Sequence, residues 1–325
     1  MIIANPIYDV VFKRLMENIR VAKFFIGTLL DETIIDLTLK PQERTILPKL
    51  EDLDEDTLAS FENQLIERLS ISVFRVDFVA TVKTDEGEYK KVLIEIQKAK
   101  NALDLMRFRT YLAAHYKTED EIEVDGKKQK AALPIVTIYI LGFELSEIDA
   151  IAIKVKRDYW DLINHQVLSA KCPFVEGLTH DCYVVQIPRI VGNTRTRLEA
   201  LLSLFEQKYF INDRKTLKTY DYQVDNEYIR EMVSILEYVG ADAKQRQAIE
   251  DEQEAYRLLE VMSENRRKEL EAVIKAKDKE LEEKNKTLKA NQEVLKEKND
   301  ALKAKDDALK EQERIIAELK AQLHK

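Results

Sequence analysis

Glycine and proline, the residues that interrupt helices most strongly, are scarce in this sequence. Its 325 residues include 7 glycines and 6 prolines, and the last of each are Gly240 and Pro188. The sequence after Gly240 is dense in Glu, Lys, Ala and Leu instead, which are good helix formers. The absence of both helix breakers argues against a loop-rich carboxyl-terminal region and predicts a long helix, extended over about residues 265–325.

Cysteine is also rare, and long apolar runs are missing. The two cysteines, Cys172 and Cys182, fit a reducing compartment. His180 lies between them, but this spacing matches no established pattern of zinc ligands, so we expect structural thiols and a loop histidine. No apolar run reaches transmembrane length, and charges interrupt residues 1–20 where a signal peptide would need an apolar core. We therefore expect a cytoplasmic protein without a membrane partner.

The chain has no excess of basic residues. It carries 52 Lys and Arg against 60 Asp and Glu, for a formal net charge of −8. This balance argues against general affinity for polyanions, although a sum over the whole chain says little about a local groove. Any contact with nucleic acid has to come from a local cluster of basic side chains.

The first half of the chain shows an ordered series of secondary-structure patterns. Asn5 and Pro6 are typical of a helix start, and helical periodicity continues to about Leu30. The predicted order is helix, three strands, helix, strand, over residues 5–30, 33–39, 75–97 (two strands), 101–120 and 133–145. The other segments are predicted as an acidic, partly helical insertion (48–72), a polar connection (121–131) and a helical region (195–250).

Residues 75–97, "RVDFVATVKTDEGEYKKVLIEIQ", place two carboxylates in apolar strands. Asp85-Glu86-Gly87 suits a three-residue hairpin loop, and this register pairs residues whose numbers sum to 172. Asp77 then faces Glu95, with Gln97 on the same face. Like charges at roughly 5 Å destabilise a strand pair unless something compensates them. A divalent cation would do so. A slipped register that sends one carboxylate to solvent, or salt bridges from Arg75 and Lys91, would also account for the pattern.

A heptad repeat occupies the end of the sequence. Leucine or isoleucine recurs every seven residues, at Ile274, Leu281, Leu288, Leu295, Leu302, Leu309, Ile316 and Leu323. The second seam position is mostly polar, as at Asn285, Gln292 and Asn299, which favours a weak coiled coil whose amides specify register. We expect self-association through this helix, with a solvated single helix or a dock for another protein as alternatives.

Five segments together resemble the PD-(D/E)XK nuclease superfamily, in its recombination-promoting nuclease (Rpn) and transposase-associated branch. They are, in order, "YDVVFKRLM", "VDFVATV", "IEIQ", "RFRTY" and "LPIVTIYILGF", and they span about residues 5–145. One segment alone is a weak signal, whereas five in order at plausible spacing are fairly specific. The sequence departs from the usual Glu-x-Lys of the superfamily, since it has Glu95-x-Gln97, as is common in this branch. The link from Tyr116 to Leu133 also lacks the branch's usual Gly and Tyr signals.

The resemblance implies a fold and an activity. It implies an α/β, restriction-endonuclease-like core within residues 1–192, then a helical region at 193–262 and a long helix or coiled coil at 263–325. The implied protein is a Mg²⁺- or Mn²⁺-dependent DNA endonuclease, a hydrolase of phosphodiester bonds. Its links to recombination and transposition are family labels that the sequence does not demonstrate.

The resemblance also implies roles for particular residues. Asp77 and Glu95, with the Ile96 carbonyl, would hold the metal, and Gln97 would orient the attacking water although it cannot be a strong base. Asp9 would add a further carboxylate. An equal alternative for Asp9 is a favourable charge at a helix start that pairs with Lys13.

The implied contacts with the DNA phosphates come from basic and aromatic side chains. Arg107 and Tyr111 would contact phosphate, although an Arg whose stem packs beside a buried Tyr explains both residues about as well. Lys13 and Lys98 would add local positive charge. Two other functions stay open: a nuclease fold that has lost catalysis and serves as a binding module, as Gln97 allows, and a coiled-coil adaptor.

Overall fold

The computed structural model describes residues 1–40, 78–98, 102–124, 126–223 and 225–323. These residues fall into two compact units, Met1–Leu259 and Glu260–Lys325. The insertion predicted at residues 48–72 lies outside the described residues. The predicted domain boundaries at 192 and 262 stay predictions.

The first unit contains both helices and strands, and the last helix continues into the second unit. The helices are α1 Asp9–Met16, α2 Ile19–Leu30, α3 Ala102–Tyr116, α4 Pro173–Gly177, α5 Arg197–Ser203, α6 Glu227–Ala241 and α7 Ala243–Leu323. The strands are β1 Ile2–Ala4, β2 Ile34–Leu39, β3 Phe78–Thr84, β4 Tyr89–Gln97, β5 Asp120–Val124, β6 Lys127–Ala131, β7 Ile135–Leu141, β8 Ala152–Val155, β9 Tyr159–Asp161, β10 Gln166–Leu168, β11 His180–Gln186 and β12 Leu217–Thr219.

The main sheet is mixed, with six strands among the described residues in the order β2-β3-β4-β7-β11-β8. The first three strands form an antiparallel meander, after which β7 runs parallel to β4 and β11 runs parallel to β7. Strand β8 closes the far edge antiparallel to β11. The fold is therefore α/β with a mixed sheet and a long carboxyl-terminal helix. Its elements up to β7 follow the predicted order of helix, three strands, helix, strand, except that β1 comes first, two helices replace one, and β5 and β6 precede β7.

The predicted hairpin register is confirmed wherever both strands are described. Phe78 pairs with Ile94, Val79 with Leu93, and the ladder keeps this register to Lys83 and Tyr89. The Thr84 amide also donates to the Glu88 carbonyl at 2.9 Å, which leaves residues 85–87 as the loop. Gly87 has φ of +85°, a left-handed conformation that glycine adopts without steric cost. Loop chemistry therefore sets the register of β3 and β4.

The two faces of the sheet are buried in two separate apolar clusters. The larger cluster joins alternate residues of β4, such as Ile94 and Ile96, to α1, α2, α5 and α6. The smaller cluster lies on the α3 face and includes Leu93, Phe108 and Leu112. Because successive side chains of a strand point to opposite faces, β4 contributes to both clusters. This double burial explains the nearly continuous apolar sequence of β4 and β7.

The prediction of one helix from Asn5 to Leu30 is wrong at its start and its middle. Asn5 precedes the helix, and its side-chain amide donates to the Gln207 side chain and the Lys215 carbonyl, both at 2.9 Å. Helix α1 begins at Asp9. A break follows Met16 because the Asn18 side chain accepts hydrogen bonds from the backbone amides of Arg20 and Val21, in the first turn of α2. An N-cap inside an otherwise helical pattern starts a second helix.

The polar connection predicted for residues 121–131 forms a hairpin of β5 and β6 instead. Gly126, with φ of +73°, lies in its turn. Lysines and glutamates oppose each other across the ladder, as for Glu123 and Lys128. Charged residues are depleted in strands, so the charged composition of this segment led to the prediction of a loop. Opposite charges that face each other across the ladder stabilise the hairpin.

The long-helix prediction is confirmed for the described residues, since α7 is continuous to Leu323 and begins earlier than predicted, at Ala243. None of the helices in the described part of the chain is long and apolar enough to cross a membrane.

A buried lysine lies where the amino-terminal strand joins the fold. Strand β1 pairs antiparallel with β12, and within β12 Lys218 is 2% exposed. Its ammonium group donates to the Glu206 carbonyl at 2.6 Å. Burial lowers the pKa of Lys218 from its usual 10.5 to about 7, although the Glu206 charge opposes this shift.

This lysine predicts a pH dependence of stability. Between about pH 7 and 10.5 the unfolded chain binds a proton at Lys218 that the folded chain has lost, so the free energy of unfolding should rise with pH there, by at most about 1.4 kcal/mol per pH unit. Urea unfolding of the wild type and Lys218→Met at several pH values measures this contribution. The variant should gain stability relative to the wild type below pH 7 and lose that advantage towards pH 10. A constant difference between the two would contradict the prediction.

Candidate functional site

Glu95 and Gln97 lie near the carboxyl end of β4, on the face that α3 covers. Glu95 is 2% exposed, and in the parallel ladder it pairs with Tyr139 of β7. Burial, followed by the charges of Cys182 and Glu95, raises the pKa of Tyr139. Gln97 is half-buried, two residues further along the same face. The structure thus brings together two of the predicted site residues, beside the half-buried phenol of Tyr139.

Asp77, the predicted partner of Glu95, lies outside the described residues. The confirmed register begins one residue later, at Phe78, so the pairing of Asp77 with Glu95 stays a prediction. Ile96, whose carbonyl is the third predicted metal ligand, pairs with Ile140, and its side chain is buried in the larger cluster on the opposite face.

Helix α3 carries two other predicted site residues, Arg107 and Tyr111. Phe108 and Leu112 pack α3 against the sheet. The ring centroids of Phe108 and Tyr139 lie 4.2 Å apart. Tyr111 is half-buried on this helix. Arg107 belongs to α3, but its side chain lies outside the described part. The phosphate-contact role of both residues stays a prediction.

Lys98 points towards the other face, as the strand pleat predicts. Its ammonium group forms an ion pair with Glu252 of α7 and lies 3.8 Å from the ring centroids of both Tyr8 and Tyr256. Both side chains of the ion pair are largely buried, at 12% and 14% exposure. Two aromatic faces and one carboxylate therefore stabilise the Lys98 charge in a site of low dielectric.

Glu252 also caps the start of α1. Its two carboxylate oxygens accept hydrogen bonds from the backbone amides of Asp9, at 2.9 Å, and Val10, at 3.2 Å. A helix start carries unsatisfied amides and a partial positive charge, which favours an anion at this position. Burial and the Glu252 charge raise the pKa of the adjacent Tyr8. One carboxylate of α7 therefore binds a helix terminus and a lysine together.

Asp9 and Lys13 pair with each other. The Lys13 ammonium group lies 2.6 Å from Asp9 Oδ2, one helical turn away, and both side chains are about one-third exposed. Asp9 Oδ1 is buried and has no hydrogen-bond partner among the described residues. The helix-start alternative weighed for Asp9 is thus observed, while roles for Asp9 in metal binding and for Lys13 in DNA binding stay predictions.

Lys91, considered as a partner for the hairpin carboxylates, forms a different buried pair. It lies 2.6 Å from Asp120, and each side chain is 3% exposed. It also donates to Thr118 Oγ1 at 3.0 Å. This network fixes the start of β5, and the residues between α3 and β5, to β4.

A metal ligand set is not complete within the described residues. Among them, no group of three or more His, Cys, Asp or Glu side chains is arranged to hold a metal ion. Cys172 and Cys182 are both free thiols. The oxygen donors expected from the hairpin include Asp77, which lies outside the described residues.

Sequence reasoning missed Glu252, Tyr8 and Tyr256. Lys98 and Glu252 are 154 residues apart, and Glu252 occurs in a segment rich in acidic residues. No local pattern distinguishes it from its neighbours. Tyr8 directly precedes α1, the helix of the "YDVVFKRLM" segment. Its place at the start of that segment was the one feature of the sequence that could have pointed to it.

A close backbone approach holds the end of β7 beside Lys98. The Gly142 amide donates to the Gln97 carbonyl at 2.7 Å, and a Cβ at Gly142 would lie 2.5 Å from the Lys98 carbonyl oxygen. Any side chain at position 142 would therefore displace the backbone that carries Gln97 and Lys98.

We expect Gly142→Ala to destabilise the fold by about 1–3 kcal/mol, because overpacking forces the backbone to shift. Urea unfolding measures the change. Gly177→Ala is the matched control, since a Cβ there meets no atom within 4 Å, and it should stay within about 0.5 kcal/mol of the wild type. Equal effects of both substitutions would contradict the steric argument.

A double-mutant cycle on Lys98→Met and Glu252→Gln should give a coupling energy of about 1–3 kcal/mol, because removing one charge leaves the other buried without its partner. Unfolding of the wild type, both single variants and the double variant measures it. Lys128 and Glu121 form an exposed ion pair of 2.6 Å, and their cycle should show a much smaller coupling. Equal coupling in the two cycles would show that burial contributes nothing to the Lys98 pair.

Comparisons with models of protein families, with curated proteins and with solved structures found no match to this chain.

Proposed function

We propose that this chain is a metal-dependent DNA endonuclease with a restriction-endonuclease-like core. The observation that supports it best is the β3–β4 hairpin. Its register puts Glu95 and Gln97 on one face near the end of β4, and Glu95 is buried there. The order of helix, three strands, helix and strand, with β7 parallel to β4, agrees with such a core. The sequence motifs that resemble the Rpn branch lie on these elements.

The donor atoms of the proposed site suit Mg²⁺ or Mn²⁺. The carboxylates of Asp77 and Glu95 and the carbonyl of Ile96 are all oxygen donors, which such hard cations prefer. The bound metal would lower the pKa of a water and stabilise negative charge on the scissile phosphate. Within this proposal, Asp77 and Glu95 bind one metal, and each is needed for its affinity.

The remaining residues of the α3 face position the reactants. Gln97 has a carbonyl oxygen and an amide group, so it orients the attacking water without removing its proton. Arg107 and Tyr111 on α3 contact the DNA phosphates, since a guanidinium group binds phosphate through two parallel hydrogen bonds.

The residues at the α1 end have a less direct role in this proposal. Lys98 and Lys13 contribute local positive charge near the DNA in this proposal, although the ion pairs with Glu252 and Asp9 offset much of that charge. Asp9 supplies an additional carboxylate to the site.

A second candidate is a nuclease fold that binds nucleic acid without cutting it. The observation in its favour is Gln97, which stands where the superfamily usually has a lysine, while Lys98 is committed to Glu252 on the opposite face. A third candidate, a coiled-coil adaptor, is favoured by the exposed leucine row of α7. An adaptor has no need for a buried carboxylate at the end of β4, which supports the enzyme.

The purified protein is expected to nick supercoiled plasmid when Mg²⁺ or Mn²⁺ is present, as followed on agarose gels. Asp77→Asn and Glu95→Gln should each remove nearly all nicking, and the double variant should lose little more, because both residues bind one metal. Gln97→Ala should have a milder effect. Glu86→Ala, in the exposed loop of the same hairpin, is the matched control and should cut normally.

A second measurement separates the candidates. Mg²⁺ should raise the midpoint of thermal unfolding of the wild type and of Glu86→Ala, but not of Glu95→Gln, because a ligand that binds the folded state stabilises it. Metal-dependent stabilisation with DNA binding but without nicking would favour the inactive module. Nicking that persists undiminished in Glu95→Gln would reveal a contaminant or another site and overturn the proposal.

A further inference from the structure

The second unit, Glu260–Lys325, exposes a row of leucines at heptad spacing. The side chains of residues 267–316 are exposed throughout, where the structure describes them. Leu281, Leu288, Leu295, Leu302 and Leu309 are each 56–66% exposed. Single exposed leucines are common on protein surfaces, but five at successive heptad positions form one continuous stripe along the helix.

Two polar rows of different charge flank this leucine row. Three residues after each leucine or isoleucine from Ile274 lies a row that is mostly lysine, namely Lys277, Lys284, Asn291, Lys298 and Lys305. Four residues after lies a row of acids and amides, namely Asp278, Asn285, Gln292, Asn299 and Asp306. Positions three and four residues on lie on either side of a helical row. The seam of α7 is therefore basic along one edge and acidic or amide along the other.

We infer that α7 pairs with α7 of a second copy of this chain, parallel and in register, through this seam. In a parallel pair, the two-fold axis runs along the helices, and it places the lysine row of each helix against the acidic row of the other. Lys277 then meets Asp278 of the second helix, and Lys305 meets Asp306. The same register sets Asp278 and Asp306 level with their own copies, and the lysine of the second helix beside each aspartate offsets that repulsion. A second copy therefore satisfies the seam without another protein.

The antiparallel arrangement lacks this complementarity. Its two-fold axis is perpendicular to the helices, so each row faces its own copy. Lysines then oppose lysines, and like charges that face each other directly are destabilising. The outer row one residue after each leucine, with Lys289, Lys296 and Lys303, meets lysines in both arrangements and does not discriminate between them. The inner rows therefore decide the orientation.

The amides of the acidic row support the same arrangement. In a parallel, in-register pair, Asn285 lies at the level of Asn285 of the second helix, and Asn299 lies level with its own copy. Asparagine at such a seam position specifies register and a two-stranded pair, with a loss of stability. The pairing should therefore be weak and depend on protein concentration. This inference is independent of the proposed nuclease activity.

Disulfide trapping in the full-length chain tests the orientation. The background carries Cys172→Ser and Cys182→Ser, and Leu281→Cys or Leu309→Cys is added singly. The two positions are about 42 Å apart on the helix, whereas a disulfide needs Cα atoms within about 7 Å. Each variant should form covalent dimers with itself, and a mixture of the two should form no crosslink between 281 and 309. Crosslinks found only in the mixture would overturn the parallel arrangement.

Charge reversal tests the complementarity, with analytical ultracentrifugation as the measurement. Asp278→Lys with Asp306→Lys should weaken self-association by about tenfold or more, and adding Lys277→Asp with Lys305→Asp should restore it. Glu283→Lys with Glu297→Lys, on the face away from the seam, changes the net charge equally and should leave association unchanged. A wild-type chain that stays monomeric at every concentration, or an equal loss in the control, would overturn the inference.

Discussion

The hydrogen-bonded position of β4, between β3 and β7, is the constraint on which the rest of the first unit depends. This strand is antiparallel to one neighbour and parallel to the other, so both its edges are satisfied and both its faces are buried. The pleat then assigns Ile94 and Ile96 to the cluster under α1 and α2, and Leu93 and Glu95 to the α3 face. A shift of one residue would exchange these faces and bury different polar groups. Burial of the Glu95 carboxylate is thus a direct consequence of the register.

The beginning of α7 provides a second constraint, since it joins distant parts of the chain at the end of β4. Glu252 binds the amides at the start of α1 and the ammonium group of Lys98. Tyr8 contributes its ring to Lys98 and its hydroxyl group to the Gln253 side chain, at 2.7 Å. These contacts hold α1 against β4, the strand that carries Glu95. Helices α5 and α6, which follow position 192, also share one apolar cluster with α1 and α2. The helical residues after position 192 are thus part of the framework that supports the candidate site.

The two units differ in the physical basis of their order. The first has an apolar core with large, fully buried side chains such as Phe12, Phe25 and Tyr220. The second is a helix whose described side chains are exposed, so it depends on helix propensity, on ion pairs one turn apart such as Lys284 with Glu280 at 2.5 Å, and on any partner. Helices in proteins gain most of their stability from tertiary packing. The leucine row is the part of this helix that such packing can bury.

The sequence by itself determined the elements whose information is local. Loop residues 85–87 and strand alternation determined the β3–β4 register, β-branched residues determined β7, and the absence of breakers determined α7. It did not determine the break at Asn18, the charged β5–β6 hairpin, or the contacts of Lys98 with Glu252 and of Lys91 with Asp120. Those depend on tertiary structure, because an N-cap, a charge pair or a buried lysine is stabilised by groups that only the folded chain brings together. Local periodicity encodes which face of an element is apolar, whereas long-range packing decides which polar groups that face meets.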